Sequence, residues 1–273
     1  MKQKRSVLLK IYAALIFIFL YAPILVLVVF SFNSSNSTAQ MSGLSLKWYS
    51  ELAHDSATLQ AFKNTMILAV LSAVISGVLG TVSAVGIDNM KHKWLKNATR
   101  GITNIPMMNP DIVTGISMML LFVFAGRMLG KTGVLGFSTM LIAHITFCLP
   151  YVILSVLPKL RQIDPNLSEA AQDLGCTPLQ SFFKVVLPAI LPGVITGIMM
   201  AFTLSLDDFV ISYFVSGPAA QTLPIRIFSM TKKRVTPDMY ALSTIMFFAI
   251  LVLMLLINYA QVRGEKKTAA KKA

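Results

Sequence analysis

A chain of 273 residues in which 55% are hydrophobic and only 13% charged is too apolar for an ordinary soluble domain and fits a polytopic membrane protein. Its net charge of +13 does not read as nucleic-acid binding, because no basic run is interleaved with base-stacking aromatics and the basic residues flank apolar spans. The two cysteines, Cys148 and Cys176, fall in a predicted span and in a loop, which argues against a structural disulfide.

Lys2, Lys4, Arg5 and Lys10 precede a first uncharged span over residues 11–32. Its apolar run exceeds that of a secretory signal and lacks a small-x-small cleavage site, so it reads as an uncleaved helix. Residues 32–60 are polar and carry Lys47-Trp48-Tyr49, an interfacial signature. Five more spans follow at 64–87, 101–126, 132–158, 185–206 and 239–262, each long enough to cross about 30 Å of hydrocarbon. The predicted fold is therefore an all-α membrane protein of six transmembrane helices. Gly77, Gly80 and Gly86 in the second span, and Gly193 and Gly197 in the fifth, predict close helix packing.

With the N-terminus inside, the inner segments hold 16 of the 24 Lys and Arg residues: Lys2, Lys4, Arg5, Lys10, Lys91, Lys93, Lys96, Arg100, Lys159, Arg161, Lys184, Arg263, Lys266, Lys267, Lys271 and Lys272. The outer segments hold the other eight. This bias places both termini, and residues 164–188, in the cytoplasm. The tail after residue 262 is rich in Lys and Ala and is expected to fray.

Residues 164–188 are polar and punctuated like two short helices. Asp164 and Pro165 form a start signal. Leu167, Ala170, Ala171 and Leu174 follow at helical spacing, and Gly175 supplies a stop. Thr177-Pro178 starts again, Leu179, Phe182, Phe183 and Val186 repeat the spacing, and Pro188 ends it. Helices of this length, about 15 Å, cannot cross a bilayer. Such a pair either lies on lipid or docks another protein. Glu169-Ala170-Ala171, three residues, Gly175, nine residues, then Val185-x-Leu187-Pro188 resembles the EAA loop of ATP-binding-cassette importer permeases, with Val185 in place of the Ile. In that family the loop docks into a cleft of the ATPase subunit.

Three membrane-depth acids stand out. Asp111 follows Pro106 and Pro110, which should break or kink the third helix near its start. Its carboxylate either caps the resumed helix or serves function. Asp207 and Asp208 point about 100° apart on a helix, so one can face a passage while the other pairs or caps. Acids at this depth face a partner or a water-filled cavity, and the alternatives here are an interhelical clamp and a cation-coordinating site. A carboxylate-lined path favours cations, and Trp48, Phe209, Tyr213 and Phe214 add ring surface for an amine, although Trp48 also suits an interfacial anchor. His144 reads as a hydrogen-bonded packing residue rather than a proton relay.

The chain has no phosphate-binding loop and no metal-ligand or nucleophile constellation, so neither ATP hydrolysis, nor a metal, nor a cofactor is expected. Phe32-Asn33-Ser34-Ser35, Lys47-Trp48-Tyr49, Pro110-Asp111-Ile112-Val113, His144-Ile145-Thr146-Phe147-Cys148, the Glu169 loop, Phe202 to Asp208 and Phe214-Val215-Ser216-Gly217-Pro218 occur in order. Together they resemble the C-type permease subunit of bacterial spermidine/putrescine importers over about residues 11–262. Asn109 and the Pro237-Asp238-Met239-Tyr240-Ala241 run depart from the family pattern.

The resemblance implies a type I importer permease fold with cytoplasmic coupling helices. It divides the chain into a cytoplasmic N-tail (1–10), a first transmembrane helix (11–32), a type-1 permease domain (60–262) and a cytoplasmic C-tail (263–273), in a bacterial inner membrane. The implied partners are a homologous second permease, two ATP-binding subunits and a periplasmic or lipid-anchored polyamine-binding protein. The resemblance assigns Trp48, Asp111, Ser205, Asp207 and Asp208 to polyamine uptake, and Glu169, Ala170, Ala171, Gly175, Leu187 and Pro188 to ATPase coupling. Rival readings are the same machine with another cationic cargo, and a proton-coupled secondary transporter.

Overall fold

The computed structural model describes residues 2–35, 40–164, 166–218, 220–232 and 237–270. The described residues form twelve α-helices: α1 (Lys2–Phe30), α2 (Lys47–His54), α3 (Ser56–Asp88), α4 (Lys93–Met108), α5 (Asp111–Met128), α6 (Phe137–Leu160), α7 (Leu167–Asp173), α8 (Pro178–Ser181), α9 (Leu187–Asp207), α10 (Val210–Val215), α11 (Leu223–Thr231) and α12 (Pro237–Ala270). A π-helical turn, Phe182–Val186, joins α8 to α9. Among the described residues six stretches are long and apolar enough to cross a membrane: Leu9–Phe30, Ser56–Asp88, Asp111–Met128, Phe137–Leu160, Pro178–Asp207 and Pro237–Leu255.

The six-helix expectation holds, with three corrections to its punctuation. The third span begins at Asp111, not at residue 101. Pro106 sits inside α4 without ending it, whereas the chain breaks at Asn109 and Pro110, both with extended ψ. A proline disfavours helical geometry in the residue before it, so the break falls at Asn109. Second, Pro188 does not end a helix. Leu187 N–H bonds to the Phe182 carbonyl five residues back, and the widened turn accommodates a proline that lacks an N–H of its own. Third, the tail does not fray at residue 263, because α12 runs to Ala270. Ala, Lys, Glu and Gln there are strong helix formers.

The chain groups into two compact units, residues 1–59 with 226–255 and residues 60–225 with 256–273. In the first unit a clasp closes the C-terminal end of α1. Trp48, only 7% exposed, donates its indole N–H to the Asn33 carbonyl at 2.7 Å. The Ser31 hydroxyl meets Tyr49 Oη at 2.7 Å, and the Asn33 side chain donates to the Gln40 carbonyl at 2.8 Å. Asp55 opens α3, accepting from Ala57 N–H at 3.1 Å, from the Thr58 hydroxyl and from Arg226 Nη2 at 3.1 Å. The first is the bond of an N-cap.

The second unit is built on an antiparallel pair, α6 and α9. Gly193, Gly197, Ala201 and Ser205 recur every fourth residue on α9. They meet Lys159 and Ser155, then Val152, then Cys148, then His144, descending α6. A side chain at Gly193 would lie 2.9 Å from the Ser155 carbonyl oxygen, and one at Gly197 would lie 3.1 Å from Val152 Cα. Backbones approach this closely only over small residues. Gly77 and Gly80 do the same for α3, against Ile198 and Val152. Gly86 has open space around it, so its expected packing role is not found.

Candidate functional site

The fifth span ends where two acidic residues interrupt it. Helix α9 stops at Asp207, Asp208 turns extended (ψ 123°), and α10 starts afresh at Val210. The Asp208 carboxylate satisfies the freed donors of α10. Its Oδ2 accepts from Ser212 N–H at 2.8 Å and its Oδ1 from Ile211 N–H at 3.3 Å. A carboxylate at a helix start is favoured by both hydrogen bonding and the helix dipole.

His144 completes the cluster from α6. It is 1% exposed, and its Nε2 lies 3.4 Å from Asp208 Oδ2 and 2.9 Å from Ser212 Oγ. Its Nδ1 lies 2.7 Å from Ser205 Oγ, which in turn accepts from the Ser72 hydroxyl at 2.8 Å. A donor chain running Ser72, Ser205, His144, Asp208 gives both ring nitrogens a partner. Four helices, α3, α6, α9 and α10, are thereby tied at one buried point. Buried polar groups are tolerated when satisfied in this way. His144 is thus the hydrogen-bonded packing residue its sequence suggested.

The two neighbouring acids behave differently. Asp208 is the clamp, its side chain 7% exposed, while Asp207 is exposed at the last position of α9. Asp111 is exposed in the first turn of α5. Gly115, one turn further on, packs against Val210 and Ile211, while Val123 and Arg127 border the cleft that Gly217 and Pro218 also line. Helices α5 and α10 therefore run parallel. Phe209 and Tyr213 follow with ring centroids 5.4 Å apart.

Ser205 is enclosed in the network rather than presented at a surface, and Trp48 lies in the other compact unit, its indole N–H committed to Asn33. Ser72 and Ser212 were missed from sequence. Ser212 stands four residues after Asp208, the spacing that would have signalled a capped turn, whereas Ser72 has no marker beyond being a hydroxyl in an apolar helix. Among the described residues no group of His, Cys, Asp and Glu is placed to hold a metal ion.

The polar elbow between α6 and α9 forms a second candidate surface. Asp164 accepts from Asn166 N–H at 2.9 Å, and α7 begins at Leu167, two residues later than the start signal implied. Pro165 lies outside the described residues. Gly175 takes φ +89°, with Gly175 N–H bonded to the Gln172 carbonyl and Cys176 N–H to the Ala171 carbonyl, a helix stop that a side chain would strain. Thr177 and Gln180 cap α8 reciprocally. Buried Ser181 locks the two helices, its hydroxyl donating to the Ser168 carbonyl at 3.1 Å. Of the predicted apolar face only Ala171 is buried. Leu174 is 88% exposed, Leu179 and Phe183 are also exposed, and Glu169 and Ala170 lie open beside them. Leu187 is half-buried and Pro188 exposed.

Residues 76–269 match the family described as binding-protein-dependent transport system inner membrane component. The chain belongs to this family and is a transmembrane permease subunit of an inner-membrane transport system, not an enzyme. It is 41% identical over 251 residues to the putrescine transport system permease protein PotI of Escherichia coli (strain K12), spanning 92% of this chain and 89% of that one. It is 39% identical over 240 residues to the spermidine/putrescine transport system permease protein PotC of the same strain, spanning 88% of each. In fold it is similar to a bacterial ABC transporter involved in the import of the acidic polysaccharide alginate, at a TM-score of 0.75, 18% identity and 96% coverage of both chains. It is also similar to the MetNI methionine ABC transporter, at a TM-score of 0.58 and 19% identity over 75% of this chain and 93% of that one. The type I permease fold and the family read from the elbow motif are thus borne out.

Proposed function

We propose that this chain is the permease subunit of an ATP-driven importer of polyamines, spermidine or putrescine. The observation that carries the reading is the 41% identity, over 92% of the chain, to a putrescine permease. The acids at the helix break supply the matching chemistry. Asp207 and Asp111 both stand exposed and offer carboxylates to ammonium groups. Asp208 and Ser205, held by His144, fix the break that presents Asp207. Trp48 shapes the outer end of the first helix, near which a binding protein docks.

In this reading two ATP-binding subunits, a homologous second permease and a periplasmic or lipid-anchored polyamine-binding protein complete the machine. Both termini and the elbow face the cytoplasm, as the distribution of Lys and Arg supports. The residues 60–262 act as the translocating domain. The exposed apolar face of the elbow, with Glu169 and Ala170 open beside Gly175, enters the ATPase subunit, and buried Ala171 belongs to the packing of the elbow itself. Closure of the ATPase dimer pushes the elbow, and the continuous helical path from Pro178 through Leu187 and Pro188 to Asp207 carries that push to the acids. A docking site of this kind needs apolar anchors surrounded by polar residues, which Leu174, Leu179 and Phe183 provide.

The test is uptake of labelled putrescine and spermidine into vesicles holding the copurified complex, with and without ATP. ATP-dependent accumulation is expected for at least one of the two. Accumulation driven by a proton gradient without ATP would overturn the reading.

A further inference from the structure

Beside the elbow end of α6, unconnected with the acids, lies a cleft of about 500 Å³ between α4 and α6. One wall is apolar, formed by Ile153, Leu154, Leu157 and Pro158. The lining is completed by Arg100, Thr103 and Asn104 from α4 and by Arg161 and Gln162, which follow α6. Arg161 is the first residue after α6, and Arg100 stands 3.7 Å from Asp88, the last residue of α3. Both arginines therefore sit where two spans leave the membrane on the same side.

The charge there is unbalanced. Asp88 is matched by Lys96 at 2.9 Å and only loosely by Arg100. Arg100 Nε is buried with no hydrogen-bond partner. A cleft lined by two guanidinium groups together with hydroxyl and amide side chains suits a phosphate diester. The apolar wall on α6 suits what a free phosphate lacks, a hydrocarbon chain. Helix α4 frames the cleft as an interfacial helix, with Trp94, Ile102, Ile105 and Met108 exposed and Lys93 and Lys96 among them.

We propose that this cleft binds one anionic phospholipid, its phosphate between Arg100 and Arg161 and an acyl chain along Ile153, Leu154 and Leu157. Basic pockets between transmembrane helices at a leaflet surface recognise anionic headgroups on this principle. The bound lipid would brace α4 against α6 one turn from the elbow. The site needs neither the polyamine assignment nor a particular orientation.

The test uses native mass spectrometry of the full-length chain, with the subunits that copurify, in mild detergent carrying either phosphatidylglycerol or phosphatidylcholine. Wild type is expected to retain one phosphatidylglycerol in preference to phosphatidylcholine. Each substitution, Arg100→Gln or Arg161→Gln, is expected to weaken retention about fivefold, and the pair about thirtyfold. Should the double variant fail to fold, judged by circular dichroism, the exposed position Asn104→Glu sets a carboxylate at the cleft and is expected to lower retention alike. Equal retention of the two lipids, or undiminished retention in the variants, overturns the proposal. Displacement of phosphatidylglycerol by excess inorganic phosphate would also overturn it, marking an anion site without a lipid.

Discussion

The adjacent acids Asp207 and Asp208 should separate cleanly into a transport residue and a stability residue. Asp208→Ala removes two hydrogen bonds to the start of α10 and one of the two partners of His144 Nε2, leaving Ser212 Oγ. Loss of an N-cap costs about 1 kcal/mol. Leaving a buried ring nitrogen with a weakened partner costs about 1–3 kcal/mol more. Hydrogen bonds inside membrane proteins average about 0.6 kcal/mol, which holds the second term to its low end. The sum is about 2–3 kcal/mol. Asp208→Asn keeps an oxygen for the cap and should lose about 1 kcal/mol, the charged part of the contact with His144. Asp207→Asn touches an exposed group and should stay within about 0.5 kcal/mol of wild type. In vesicles, however, it should lower uptake about ten- to hundredfold, the value of one charged contact to an ammonium group at about 1.5–3 kcal/mol. Unfolding of the purified complex in mixed micelles, followed by circular dichroism, reads the first set, and labelled polyamine uptake reads the second. If Asp207→Asn unfolds as readily as Asp208→Ala, or Asp208→Ala keeps the wild-type midpoint, the division of roles is wrong.

Other perturbations test other levels of the fold. Gly197→Leu must push apart the α6 and α9 backbones at Val152 and should destabilise by about 3 kcal/mol, whereas a substitution at Gly86, which faces open space, should cost under about 1 kcal/mol in the same assay. Glu169→Lys should leave assembly intact but abolish substrate-stimulated ATP hydrolysis, and unchanged stimulation would remove Glu169 from coupling. The Thr58 hydroxyl, helped by the Ala57 amide and Arg226, holds the Asp55 carboxyl below its usual range. Because its folded value is depressed, its contribution is present above the unfolded value of 3.8 and fades as pH falls through the lower folded value. Thermal melts of Asp55→Asn against wild type should therefore differ at neutral pH and converge as the pH falls below 3.8 and through the lower folded value.

How much of this was legible in the sequence depends on how local the cause is. The number of spans follows from apolar run length, and the reciprocal cap of Thr177 with Gln180 and the stop at Gly175 follow from residues within one helical turn. The treatment of proline was harder. Pro106, Pro110 and Pro188 have the same ring, yet only Pro110 stands at a break. Pro188 was absorbed by a π-turn whose existence depends on α9 being anchored along α6 by Gly193, Gly197 and Ala201. That anchoring is a tertiary matter, and no window of the sequence carries it.

The acids show the same limit at the level of function. Angular separation along a helix predicts that Asp207 and Asp208 diverge, but it cannot say which turns inward. The choice is made by His144, more than sixty residues earlier, whose ring offers Asp208 a donor only because Ser205 and Ser72 hold it from behind. A buried histidine supplied from one helix fixes a carboxylate at the break in another, and the remaining carboxylate is left exposed by exclusion. Replacing His144 with Leu should accordingly disturb more than packing. Once Asp208 is released, the start of α10 loses its fixed cap and the direction of Asp207 is no longer set, so uptake should fall even in a variant that still assembles. Supplying an amide donor and acceptor instead, with His144→Gln, should retain part of both stability and uptake relative to His144→Leu, whereas a gain in stability alone would mean that the histidine braces the bundle without aiming the acid.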